Sequence, residues 1–118
     1  MLDRVRSAEV RHEAGALAAA LGRSLAGSTG DAASVAELFR LAHTLQGMLS
    51  LLAAGEARRT CLAIEDTLDD LRCGRRRLDH GLRVELQQAI VRMRLSLASP
   101  PGGDEEVQAL PTGPRLDL

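Results

Sequence analysis

One histidine in this chain stands on a patterned helix face, and its neighbours are small. His43 falls within a run where Val35, Leu38, Ala42, Leu45, Leu49 and Leu52 step by three, four, three, four and three residues. That is the clearest amphipathic pattern in the sequence. Helical residues advance about 100° each, which puts His43 roughly 130° from the centre of that apolar stripe, at or near solvent. Arg40 lies one turn before it, and Gly47 and Ser50 lie one and two turns beyond it on the same side. An exposed imidazole has an unperturbed pKa near 6.5, so it is largely neutral near pH 7 and can act as a nucleophile. Gly47 is costly in mid-helix, by about 1 kcal/mol against alanine. Such a cost has two readings: a partner's backbone reaches over the histidine, or the residue is neutral or lets a neighbouring helix in. His12 has no patterned neighbours and His80 stands at a helix start, so neither is assigned a role. Cys61 and Cys73 are twelve residues apart in one predicted helix. That separates them by roughly 18 Å, too far for a disulfide. Cys61 also falls in that helix's apolar stripe, which argues against a His–Cys dyad.

Four helices are predicted to carry these residues. The first spans about 4–26, with Val10, Ala14, Leu17, Leu21 and Leu25 inward and with Gly15 and Gly22 weakening it locally; Gly27-Ser28-Thr29-Gly30 ends it. The second opens on a Ser34–Glu37 capping box, or one turn earlier on Asp31, and runs to Ala53-Ala54-Gly55. The third covers about 56–73, with Ala57, Cys61, Ile64, Leu68 and Leu71 inward and Gly74 as its C-terminal cap. Asp79 caps the fourth, which carries Leu82, Leu86, Ile90, Met93 and Leu97 inward as far as Ala98. Short connections between amphipathic helices predict an all-α, antiparallel, up-down-up-down four-helix bundle over residues 1–98. Ser99-Pro100-Pro101-Gly102-Gly103 stops the last helix, and residues 99–118 read as a Pro/Gly-rich acidic tail or linker.

Composition narrows the function classes. The 118 residues suit one domain, and 45% are hydrophobic. Phe39 is the one aromatic residue, so Leu and Ala must fill the core. The net charge of −1 points to neither nucleic acid nor membrane. It hides an asymmetry: residues 1–98 hold fourteen Arg against twelve acids, while the tail holds one Arg against four acids. Arg75-Arg76-Arg77 is read as a solvated loop, and the lack of stacking aromatics counts against single-strand binding. No run of eighteen apolar residues suggests a membrane span, and the charged N-terminus lacks a signal-peptide core. With the separated cysteines, these features lead us to expect a cytoplasmic protein.

The segment Leu38-Phe39-Arg40-Leu41-Ala42-His43-Thr44-Leu45-Gln46-Gly47 resembles the signature of histidine phosphotransfer (HPt) domains. It is most similar to the N-terminal phosphotransfer domain of chemotaxis-type histidine kinases. That family carries a glutamate twenty-two residues after its histidine, and Glu65 stands at that spacing. The resemblance covers roughly residues 5–98. It implies that His43 accepts a phosphoryl group and that Glu65 orients or tunes it by accepting a hydrogen bond from the other ring nitrogen. It further implies that Gln46 lies near the phosphoryl group and that Arg40, Gly47 and Ser50 meet the partner.

Three positions depart from the pattern. Gln46 stands where the family has a lysine, Leu62 replaces a second histidine common in chemotaxis-type members, and Ala53 replaces a glycine. The first removes a cation near the phosphate, and the second removes a hydrogen-bonding neighbour of His43. The chain shows no glycine-rich nucleotide loop and no evident metal cluster, so a carrier without its own ATP site or metal is expected. Mg²⁺ and the acceptor or donor aspartate would come from a response-regulator receiver domain. A histidine kinase catalytic domain, in cis or in trans, would be the other partner. In that case the chain would be the phosphoacceptor domain of a kinase. The competing expectation is a non-catalytic helical adaptor or oligomerisation bundle, which leaves the histidine, glycine and glutamate to chance.

Overall fold

The computed structural model describes residues 4–98, and the expected tail at 99–118 lies outside the described residues. Four helices follow one another: α1 (Arg4–Ala26), α2 (Ala32–Leu49), α3 (Gly55–Arg72) and α4 (His80–Ala98). Each packs on the next in sequence and α4 returns to α1, closing a four-helix bundle. The stripes of α2, α3 and α4 are buried at the positions that their periodicity predicts. α1 differs slightly. Ala14, Ala18, Leu21 and Leu25 are buried, whereas Val10 and Leu17 are half-buried at the edge of the core. An alanine at the centre of the α1 face leaves no bulk between the helices there. Gly22 faces α4, where a Cβ added to it would meet Ile90 at 3.6 Å in ordinary van der Waals contact. The α4 side chain of Gln87 also donates to the Gly22 carbonyl at 3.2 Å.

The helix ends show where capping chemistry decided between alternatives. α2 starts a turn before the Ser34–Glu37 box. The Asp31 carboxylate accepts from the Ser34 backbone N–H at 2.9 Å, which makes Asp31 the cap and Ser34 a first-turn residue. The Ser34 hydroxyl turns to the Asp31 carbonyl at 3.1 Å and to the Ser28 hydroxyl at 2.8 Å. The other end of α2 is also earlier than its stripe suggests. The helix closes at Leu49, yet Leu52 stays buried because the turn folds it back under the bundle. Asp79 caps α4 as expected, accepting from the Leu82 N–H at 2.8 Å. Gly74 follows α3 with φ +79°, a conformation in which an L side chain is strained.

The Asp31 cap predicts an acid-sensitive contribution to stability. Hydrogen bonding from the Ser34 backbone N–H, helped by the Ser34 side chain, holds the Asp31 carboxyl below the usual carboxylate range. A folded pKa below the unfolded one stabilises the protein fully above the unfolded value, and that share is lost as pH falls through the folded value. Asp31→Asn keeps a capping oxygen but does not titrate. The gap in urea midpoint between wild type and Asp31→Asn is expected to be steady above about pH 5 and to narrow in stronger acid. A gap that stays constant down to the acid limit would refute this role of the carboxylate.

Candidate functional site

The α2–α3 pair forms the site. Cys61, one turn before Glu65 on α3, is buried with its thiol 3.6 Å from the Ala42 carbonyl of α2. This contact sets α3 beside the residue that precedes His43. Burial, with the charge of Glu65 adding to it, pushes the Cys61 thiol up to about 12. The thiol therefore stays protonated and serves as packing, consistent with its place in the stripe. Cys73 is exposed, and both cysteines are free.

At this register the imidazole of His43 meets the carboxylate of Glu65. Nδ1 lies 2.6 Å from Oε2, within hydrogen-bond distance. The side chain of His43 is 71% exposed, whereas that of Glu65 is only 16% exposed. The acceptor is thus set into the helix pair and the imidazole stands out from it. With the proton on Nδ1, the ring donates to Glu65 and the lone pair of Nε2 remains available on the outer side. The wheel position of His43 put the ring outside, the family resemblance paired it with Glu65, and the folded chain brings the two together.

The other sequence-derived residues occupy distinct places. Gly47 is exposed, and a Cβ added to it would meet no atom within 4 Å. No neighbouring helix therefore requires the glycine; the space above it opens to solvent. Ser50 is the C-terminal cap of α2, and its hydroxyl donates to the Gly47 carbonyl at 2.6 Å. Arg40 is exposed and paired with Glu37 of its own helix. Gln46 is half-buried, with its amide oxygen shielded and without a hydrogen-bond partner.

Three features of this face emerge only in the folded chain. Phe39 stacks beside His43, its ring centroid 6.0 Å away and the planes 15° apart. The Arg72 guanidinium lies over the Phe39 ring at 4.4 Å. The four-residue spacing of Phe39 and His43 is a helical neighbour signal, but nothing in the spacing of Arg72 announces its contact across helices. Leu51 and Leu62 are large apolar side chains left 60% and 44% exposed. Leu62 lies one turn before Glu65, so the histidine face has an apolar flank. Among the described residues, no three His, Cys, Asp or Glu side chains gather into a metal-binding group. No helix there is long and apolar enough to cross a membrane.

A helical bundle in which an exposed imidazole is backed by a recessed carboxylate on the adjacent helix defines a surface histidine module. Residues 7–96 match the Hpt domain family. This chain belongs to the Hpt domain family, whose members serve histidine phosphotransfer in phosphorelays. No match was found among curated proteins or among solved structures.

Proposed function

We propose that Nε2 of His43 carries the phosphoryl group, exchanging it with the aspartate of a response-regulator receiver domain or taking it from a kinase catalytic domain. The observation that carries this reading is the Nδ1–Oε2 contact beneath an otherwise exposed ring. In transfer from a receiver, the Nε2 lone pair forms a bond to phosphorus as the aspartyl P–O bond breaks. The aspartate leaves as a carboxylate. The imidazole keeps its Nδ1 proton and gains positive charge, and the Glu65 carboxylate lies where that charge develops. Charge stabilisation of this kind needs no reorganisation when the acceptor is already in place.

The partner supplies Mg²⁺ and the reacting aspartate, since the transferring phosphoryl oxygens need charge neutralisation. Gln46 is placed near the phosphoryl group on the strength of the family pattern. As a neutral residue it gives less electrostatic attraction than lysine would. Arg40, Gly47 and Ser50 form the side that a partner approaches. The same resemblance supports a place with the chemotaxis-type kinases, and the two free, separated cysteines support the cytoplasm. Incubating the protein with a panel of ³²P-labelled receivers, then mapping the label, tests the reading. Label on His43 is expected; a protein that takes no label from any receiver or kinase domain would favour the adaptor reading.

Glu65 offers a separate test. Its carboxylate sits at the edge of the α3 stripe, so Glu65→Ala should cost little packing. The variant should slow transfer by about tenfold, equivalent to about 1.4 kcal/mol in the barrier. ¹⁵N NMR of the ring should show the proton shifting from Nδ1 towards Nε2. Unchanged transfer with an unchanged tautomer would reduce Glu65 to a surface acid.

A further inference from the structure

The Glu65 contact fixes one atom of the imidazole but not its plane. A ring that is 71% exposed and held at Nδ1 alone can still swivel about that contact. In-line attack needs the Nε2 lone pair aimed at phosphorus, so the plane matters as much as the tautomer. Phe39 supplies a second constraint. It precedes His43 by one turn, and its ring lies nearly parallel at 15° with centroids 6.0 Å apart. This is an offset arrangement within the range favoured by aromatic pairs.

Phe39 is itself confined. One part of it packs against the core, and the Arg72 guanidinium covers its ring at 4.4 Å. Arg72 is anchored in turn by its ion pair with Asp69. The hydrogen bond from Arg72 is the largest influence holding the Asp69 carboxyl below the usual carboxylate range. Asp69 also meets Arg75 at 3.3 Å, and Arg75 Nε donates to Asp70 at 2.8 Å. A chain of contacts therefore runs from the C-terminal turn of α3, through a cation–π contact, to the nucleophile on α2.

We propose that Phe39, clamped by Arg72, is a positioning residue that sets the plane of the His43 ring for transfer. This rests on His43 being the phosphoacceptor, but ring order can be measured without any phosphoryl donor. In Phe39→Leu, ¹³C and ¹⁵N relaxation of the His43 ring should show wider motion while helical circular dichroism is kept. Transfer from a phosphorylated receiver should fall about fivefold, the scale of one aromatic pair, with receiver affinity unchanged. Phe39→Tyr, which keeps the ring, should restore both order and rate. Arg72→Gln, at an exposed position, should cause a smaller loss that disappears in the Phe39→Leu background, because the two residues act in series. Unchanged ring order in Phe39→Leu, or additive losses in the double variant, would overturn the proposal. If ring order falls in Phe39→Leu but no donor labels wild-type His43, the positioning contact stands and the phosphocarrier reading fails instead.

Discussion

His43→Gln is expected to accept no detectable phosphoryl group while folding as the wild type does. Glutamine keeps similar length and polarity at this exposed position, and exposed substitutions usually change stability by no more than about 0.5 kcal/mol. What it lacks is the ring lone pair. The carboxamide nitrogen is delocalised into its carbonyl and is no nucleophile near neutral pH. The loss should therefore be complete, unlike the partial losses expected of the neighbours that only orient or tune the ring. The remaining histidines act as internal controls. His12 lines a groove between α1 and α4, and His80 opens α4. Matched circular dichroism and melting curves, with ³²P transfer from a receiver, make the comparison. Residual label on the variant at His12 or His80, or undiminished labelling overall, would show that the nucleophile had been misassigned.

Gly47→Leu is expected to strengthen the helix and yet block transfer. Leucine is the better helix former by about 0.5–1 kcal/mol, and no atom within 4 Å of the added Cβ opposes it. Inside the isolated chain the added Cβ has room. A helical side chain leans over the turn before it, so the leucine would stand beside His43 and crowd a partner reaching over the helix. Exclusion of that partner should lower the transfer rate by about 100-fold, equivalent to about 2.7 kcal/mol. Gly47→Ala, with a single methyl, should transfer at a rate between those of wild type and Gly47→Leu. The opposite directions of stability and transfer give the test its force, because a destabilised protein would lose both. A Gly47→Leu protein that transfers at the wild-type rate would show that no partner passes over this residue.

Much of the architecture is local and therefore legible in one dimension. The stripes of α2, α3 and α4 state which face of each helix is buried, since the 3.6-residue period depends on that helix alone. The same arithmetic placed His43 outside, and Asp79 declared itself as a cap because capping is settled within four residues. Local rules were ambiguous where two caps competed. Asp31 took the start of α2 because its carboxylate reaches the Ser34 N–H, leaving the Ser34–Glu37 box one turn inside the helix. Leu52 kept the burial that its spacing forecast, but did so from a turn beyond the helix end.

The site itself depended on what periodicity does not contain: the rotation and axial offset of α3 against α2. A spacing of twenty-two residues suggested Glu65 only by family resemblance. It became a 2.6 Å contact because Cys61, packed beneath Ala42, sets the height of α3 beside His43. The Arg72–Phe39 contact follows from the same offset, nearer the C-terminal end of α3. Such offsets are decided by how side chains from four helices interdigitate at close packing, where volume and shape across the interface select one arrangement. The sequence by itself thus determined that a histidine would stand exposed on a helix of a bundle. Only the tertiary structure decided which carboxylate lies beneath it and which guanidinium covers the ring beside it, because both contacts join side chains far apart in the chain and are settled by packing rather than by period.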